Sequence, residues 1–272
     1  MRVEDAIKKA SLRLKNVTFR PRFEAEILLA HHLSWDRVSL HLRSKEFCND
    51  CQSFFELVER RASFEPIEYI TKRVSFYSEE FFIDRGALIP RPETEILIDV
   101  ASELIESYNI KRVVEVGIGS GAVSVVLAKK YKSIEILGTD ISIDALKIAN
   151  INLKLHNLQD RVKVVHTSLL DGIDEDVELI ISNPPYISKD FKLEPNVINF
   201  EPHIALFAED DGLKLLKDIV SIGVEKRARA VICEMGFNQR EPMSKFFDSL
   251  KIKKFGFYRD LASLERGFWL VP

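Results

Sequence analysis

The chain has 272 residues, 46% hydrophobic, 30% charged and 10% aromatic, with a formal net charge of -3. This composition excludes disorder, collagen and coiled coil, and allows one or two domains whose cores need no covalent staples. Three cysteines, Cys48, Cys51 and Cys233, exclude a disulfide framework, and neither the near-neutral first 85 residues nor the mildly acidic remainder has the basic excess of a duplex-DNA binder.

The opening MRVEDAIKKA lacks the apolar run of a signal peptide, and no stretch has the length of uncharged apolar residues that a membrane span requires. A cytoplasmic protein is expected. Along the first third, Val3, Ala6, Ile7 and Ala10 repeat at helical spacing. Phe23, Ile27 and Leu28 do the same, as do Phe54, Phe55, Leu57 and Val58, with loops near Asn16 to Pro21 and Ser34 to Asp36. Residues 1–72 therefore read as a small helical bundle. Residues 74–90 are aromatic and β-branched, and Gly86 between two short runs predicts a hairpin. The hairpin with its flanks forms a linker over 73–91, and a helix starts near Glu93. From residue 92 to the end a second domain follows. Strand-like runs at Arg112–Val116, Ile134–Thr139, Val162–Val165, Leu179–Ser182 and Ala230–Glu234 alternate with amphipathic helices such as Ala122–Tyr131 and Ile143–His156. Such alternation builds a parallel sheet covered on both faces. Lys251–Tyr258 and Gly267–Val271 predict an antiparallel hairpin at the sheet edge.

Val113 to Gly121, VVEVGIGSG, ends a strand and opens a helix, where glycines permit a sharp turn and close approach to a ligand. Gly117, Gly119 and Ala122 also satisfy the dinucleotide pattern, so a nicotinamide cofactor stays open here, as does a purely structural turn. Asp140, ending the next strand, is placed to accept ribose hydroxyls, which a nicotinamide dinucleotide and S-adenosylmethionine share. Its plain alternative is an acid at a helix N-terminus. Glu115 leans toward S-adenosylmethionine, because it suits an ammonium and would repel a pyrophosphate.

Asn183-Pro184-Pro185-Tyr186 follows the apolar strand Leu179 to Ser182, at the edge where open α/β sheets bind ligands. Two prolines fix two φ angles and remove two donors. What remains is rigid: the Asn183 side-chain oxygen and the Pro184 carbonyl as acceptors, and Tyr186 as a flat face. Two acceptors orient the planar nitrogen of a carboxamide or of adenine, and positioning with electrostatics then suffices for displacement at a sulfonium methyl. No metal is required. The plain alternative is a proline turn.

These residues resemble the HemK/PrmC family of S-adenosylmethionine-dependent methyltransferases, which methylate a glutamine side chain of peptide chain release factors. The resemblance runs over nearly the whole chain. It is carried by Ile89 to Glu95 (IPRPETE) and Asn183 to Tyr186. Weaker matches are Arg60-Arg61, Pro66 to Ile70, Phe200-Glu201-Pro202, Asp211-Gly212-Leu213, Glu234-Met235-Gly236 with Gln239, and Asp260 with Arg266. It implies a class I methyltransferase: a Rossmann-like α/β domain with a mostly parallel seven-stranded sheet, preceded by a small helical bundle. S-adenosyl-L-methionine is the implied cofactor and S-adenosyl-L-homocysteine its product. Glu115, Gly117, Ile118, Gly119, Ser120, Gly121, Asp140, Ile141, Ser168, Leu169 and Asn183 are the implied cofactor residues. Asn183, Pro184, Pro185, Tyr186 and Arg91 are the implied substrate residues, with Asn183, Pro184 and Tyr186 serving the chemistry. The implied partner is a release factor met by a monomer, with no direct nucleic-acid or membrane contact. Departures from the family pattern include Glu115 for Asp, Ile118 for Thr, Lys72 for Gly, Leu169 where an aromatic is common, and Ser263 and Glu265 in the tail.

Other features carry less. Cys48 and Cys51 have CxxC spacing without a second pair or a thioredoxin-like context, so they read as bundle residues. His31, His32 and His203 read as structural, and Lys251, Lys253 and Lys254 as a solvated edge strand. Arg91 is open between gripping the substrate backbone and pairing with Glu93 or Glu95. Rival functions are a ribosomal-protein glutamine methyltransferase, an adenine N6-methyltransferase on DNA or RNA, and a non-enzymatic adaptor. Too few residues follow Tyr186 for a nucleic-acid recognition domain.

Overall fold

The computed structural model describes residues 1–209 and 212–272, which form two compact units. The first comprises Met1–Arg73 with Leu193–Phe200, a short segment that the sequence reading leaves with the second domain. Its helices are α1 (Val3–Leu14), α2 (Pro21–Leu33), α3 (Arg37–Leu42), α4 (Cys51–Ala62) and α5 (Ile67–Thr71), with the single-turn α9 (Pro195–Ile198) from the later segment. The helical spacing in α1 buries Val3, Ala6, Ile7, Ala10 and Leu14 on one stripe. Pro21 opens α2 at a position where a missing N–H costs nothing, and Ser34 closes it in the left-handed conformation. Asp36 and Asp50 cap α3 and α4 by accepting the N–H groups of Ser39 and Ser53. Leu28, Leu29, Phe54 and Val58 fill the core. The Arg61 guanidinium pairs with Glu24 at 2.6 Å inside it.

A hairpin follows, β1 (Arg73–Phe76) and β2 (Glu79–Phe82). Its turn is Tyr77-Ser78, with φ of 50° and 62°, and not the region of Gly86. Two successive left-handed residues match the twist of paired strands, and here Tyr and Ser take the places usually held by Asn and Gly. Gly86 has another use: a Cβ there would lie 2.8 Å from Asp144 Cβ.

The second unit spans Val74–Lys192 and Glu201–Pro272. Its strands are β3 (Arg112–Val116), β4 (Glu135–Asp140), β5 (Val162–His166), β6 (Leu179–Ser182), β7 (Ala230–Glu234), β8 (Lys254–Arg259) and β9 (Glu265–Val271). Its main helices are α6 (Thr94–Tyr108), α7 (Ala122–Lys130), α8 (Ile143–Leu155), α10 (Leu213–Glu225) and α11 (Arg240–Ser249). The seven strands lie in the order β5-β4-β3-β6-β7-β9-β8, and only β9 runs against the rest. Of the three tail lysines, only Lys254 falls within a strand. All residues of β6 and β7 are buried, as a sheet covered on both faces demands. Alternate residues supply two cores: Val113, Ile181 and Ile232 one, Val114, Ile180 and Val231 the other. Strand order reverses between β3, which pairs with β4 on one side, and β6 on the other. Val116 sits level with Thr139 and with Ser182. The chain exits after β3, β4 and β6 therefore gather at the switch point where such sheets open a crevice. Among the described residues, no helix is long and apolar enough to cross a membrane.

Candidate functional site

The loop from β3 to α7 is shaped by Gly117, Gly119 and Gly121, with φ of 72°, 55° and 80°. The Gly117 and Ile118 N–H groups both donate to the Thr139 carbonyl, at 2.8 and 2.9 Å, holding the loop against the end of β4. Asp140 completes the tie. Its Oδ2 accepts from the Gly119 N–H at 2.9 Å and its Oδ1 from the Ser142 N–H at 2.8 Å. A Cβ on Gly117 would meet nothing within 4 Å, so the loop backbone opens onto free space.

That space is a cleft. It is lined by Glu115, Gly117, Ile118, Gly119, Ser120, Asp140, Ile141, Ser168, Leu169, Asn183, Pro184, Pro185 and Arg91 among the sequence-predicted residues. Two predicted residues do not line it. Gly121 faces α8, where a Cβ would come within 3.4 Å of Ala149, and Tyr186 is committed elsewhere through its hydroxyl. Ile118 lies at the rim with its side chain in the core, filling the space above Gly138.

Glu115 is buried and accepts a short hydrogen bond from the Ser124 hydroxyl. Burial pushes its carboxyl up to about 8, against that hydrogen bond. Burial also raises Asp140, opposed by the backbone N–H groups it accepts. Leu169 holds a left-handed backbone at φ 50°, which a leucine adopts at a cost of about 1–2 kcal/mol, and Ile141 beside Asp140 is 52% exposed. Two acids, an open glycine cradle and flanking apolar side chains fit a cofactor with a cationic amino-acid end, ribose hydroxyls and a flat base.

On the other side of β3, the Ser182 hydroxyl donates to the Val116 carbonyl at 2.7 Å. Asn183 then turns its Nδ2 to Thr94 Oγ1 at 3.0 Å. The Thr94 hydroxyl donates to Glu234 Oε2 at 2.7 Å, and the Tyr186 hydroxyl donates to Glu234 Oε1 at 2.9 Å. Glu234, the last residue of β7, is 2% exposed. Burial raises its carboxyl, while the two hydroxyls and Arg266 oppose the rise. Burial raises the Tyr186 phenol as well, keeping it a donor. The Tyr186 carbonyl accepts from Gln239 Nε2 at 3.3 Å, and a Cβ on Gly212 would lie 2.3 Å from that carbonyl oxygen. Gly212 thus lets α10 begin against the tetrapeptide; Asp211, matched beside it in the sequence, lies outside the described residues.

Arg91 pairs with neither Glu93 nor Glu95. Its Nη2 donates to Glu201 Oε1 at 2.5 Å, and the Ile89 N–H donates to Glu201 Oε2 at 3.2 Å. Glu95 instead accepts from the Tyr77 N–H, and Glu93 lies 4.0 Å from Arg266. Buried Glu201 outcompetes both because it meets Arg91 and Ile89 together.

Sequence reading does not single out Thr94, Glu201 and Glu234 as site residues. A threonine after Pro-Glu reads as a helix start. Glu234 carries the signal that marked Glu115, an acid closing an apolar strand, and that signal was there to be used. His203 is exposed, with its ring against Phe207. Cys51 donates to the Cys48 carbonyl, and burial pushes the Cys48 thiol up to about 12, far from a reactive thiolate. Among the described residues, no group of three His, Cys, Asp or Glu has metal-site geometry.

Residues 5–71 match the PrmC N-terminal domain, and residues 93–199 match the methyltransferase small domain. A release factor glutamine methyltransferase of Clostridium acetobutylicum is 35% identical, over 98% of this chain and 97% of that protein. A bifunctional methyltransferase of Rickettsia typhi is 36% identical over 93% of this chain and 54% of its own length, so the chain spans about half of that relative. The N-terminal domain of human METTL16, solved in complex with SAH, shares the fold at 18% identity and a TM-score of 0.52, covering 85% of this chain and 86% of that one.

Proposed function

Because the chain belongs to the release factor glutamine methyltransferase family, we propose that it transfers a methyl group from S-adenosylmethionine to the side-chain amide nitrogen of a release-factor glutamine. The cofactor, when bound, supplies an electrophilic methyl group on a sulfonium. Glu115 holds its ammonium, Asp140 its ribose hydroxyls, the Gly117–Gly119 backbone lies along it, and Leu169 and Ile141 flank its base. Asn183 Oδ1 and the Pro184 carbonyl accept the two N–H bonds of the target amide and aim its nitrogen at the methyl. Tyr186, outside the cleft, anchors the tetrapeptide through its hydroxyl on Glu234. The new N–C bond forms as the C–S bond breaks, its electron pair stays on sulfur, and the nitrogen's surplus proton leaves to water. The helical first unit docks the body of the protein substrate.

One observation carries this reading: Asn183 gives its NH2 to Thr94, which leaves its oxygen as the acceptor that a planar, weakly nucleophilic amide needs. The test is incubation with labelled S-adenosylmethionine and, separately, purified release factor, ribosomes and DNA. Label on one release-factor glutamine, located by mass spectrometry and lost when that glutamine becomes asparagine, is the expected result. Label on a ribosomal protein or on adenine, with none on release factor, would overturn it.

A further inference from the structure

We propose that Thr94 and Glu234 are positioning residues that decide which end of the Asn183 carboxamide faces the cleft. This rests on the methyl-transfer reading above. The two ends of a carboxamide are nearly the same size, so packing alone does not choose between them. The choice matters, because the oxygen accepts from a target N–H while the NH2 group would be set against it.

The donor inventory makes the choice. Two hydroxyls are aimed at Glu234, one at each carboxyl oxygen, so it serves as the acceptor for both. The Tyr186 hydroxyl donates to one at 2.9 Å and the Thr94 hydroxyl to the other at 2.7 Å. Thr94 has a single hydroxyl proton, and it is spent there. Its oxygen then has only lone pairs to offer at 3.0 Å, and they take the Asn183 NH2. The Asn183 oxygen is left for the substrate. Three residues brought together from α6, the loop after β6 and the end of β7 thus act as one directional chain. Burial sharpens the preference, since Glu234 is 2% and Thr94 4% exposed, where a mismatched donor pair costs far more than in water.

Glu234→Gln keeps the volume and introduces an NH2 group. The Tyr186 hydroxyl keeps its acceptor by facing the new oxygen, which turns the new NH2 to Thr94. Thr94 must then donate toward Asn183, and the carboxamide reverses. Thr94→Val removes the link, whereas Thr94→Ser retains it.

The experiment measures kcat and KM on intact release factor, cofactor affinity by calorimetry, and the Asn183 side-chain NH2 resonances by NMR in the cofactor-free full chain. Glu234→Gln and Thr94→Val should lower kcat by about tenfold or more, with KM and cofactor affinity changed by less than about threefold. Thr94→Ser should recover turnover to within about threefold of wild type. The Asn183 resonances should shift in Glu234→Gln and Thr94→Val and stay in place in Thr94→Ser. Unchanged kcat and resonances in Glu234→Gln, or equal losses in Thr94→Ser and Thr94→Val, would overturn the assignment. If wild-type enzyme labels no release factor, the functional reading fails, and the NMR comparison alone still decides how Asn183 is held.

Discussion

Glu115 and Asp140 sit near the ends of adjacent strands, yet their burdens differ. Asp140 already serves the protein, with both oxygens tied to the backbone of two loops. Glu115 has a hydroxyl partner and is otherwise enclosed, which is why its carboxyl rises to about 8. A raised acid binds its proton more tightly in the folded chain than in the unfolded one. The stability this confers is complete below the ordinary carboxylate range and is lost as pH rises through about 8. Glu115→Gln, which cannot ionise, should flatten the fall in stability across that window, as thermal unfolding in a pH series would reveal. An arriving ammonium favours the carboxylate, so cofactor binding near neutral pH should expel up to about one proton. Calorimetry in buffers of different ionisation enthalpy should register that proton in the wild type and not in Glu115→Gln. A wild-type binding enthalpy that ignores the buffer would refute the ammonium role. Asn183 predicts the opposite pattern. Asn183→Ala should leave cofactor affinity largely intact and slow methyl transfer about 10²-fold or more, the scale for an oriented polar group in a transition state. Turnover close to wild type at saturating release factor would count against its acceptor role.

At the scale of elements, legibility followed sequence distance. Strands β3, β4, β6 and β7 were readable because each is a short apolar run followed by a turn or a charged group. The lining of the cleft by the glycine loop, Asp140 and Asn183 to Pro185 was legible because these residues are consecutive or nearly so at strand ends. Thr94 was not, because its meaning comes from Asn183, 89 residues away, and Glu234, 140 residues away. The carboxylate partner of Arg91 was hidden for the same reason: Glu201 is 110 residues distant, while Glu93 and Glu95 were near at hand. The first hairpin shows a local signal overruled. Gly86 looked like the turn, yet Phe76 and Phe81 pack edge-to-face at 6.2 Å and place the turn at Tyr77-Ser78. Ser78 is exposed and left-handed, a conformation that glycine adopts without the Cβ penalty. Ser78→Gly should therefore stabilise the protein by about 1 kcal/mol, after the entropy that glycine adds to the unfolded chain is subtracted. Chemical denaturation would measure it, and a destabilised variant would mean that the turn geometry is not the one described.

For the whole molecule, the division into units sets how the docking role must be tested. The first unit takes residues 193–200 as well as 1–73, so removing the N-terminal helices would strand a segment that lies just beyond the Asn183 tetrapeptide. Loss of activity after such a cut would not separate docking from damage to the site. Surface substitutions do separate them. Phe19, Leu42 and Phe47 in the first unit are 89%, 81% and 71% exposed, so polar replacements there cost the fold little. Each large apolar side chain covered by a partner contributes about 1.5–3 kcal/mol, enough to change an apparent affinity tenfold or more. Phe19→Ser, Leu42→Ser and Phe47→Ser, made singly in the full chain, should include at least one that raises KM for intact release factor by about tenfold. The same variant should treat a short peptide carrying the target glutamine as the wild type does, because a peptide without the body of the factor gains nothing from a dock and depends on the cleft alone. If all three variants match the wild type on intact factor, the first unit does not grip its partner through these side chains. If a variant loses peptide and protein activity equally, its effect has reached the cleft through the fold, and the docking role fails for that residue.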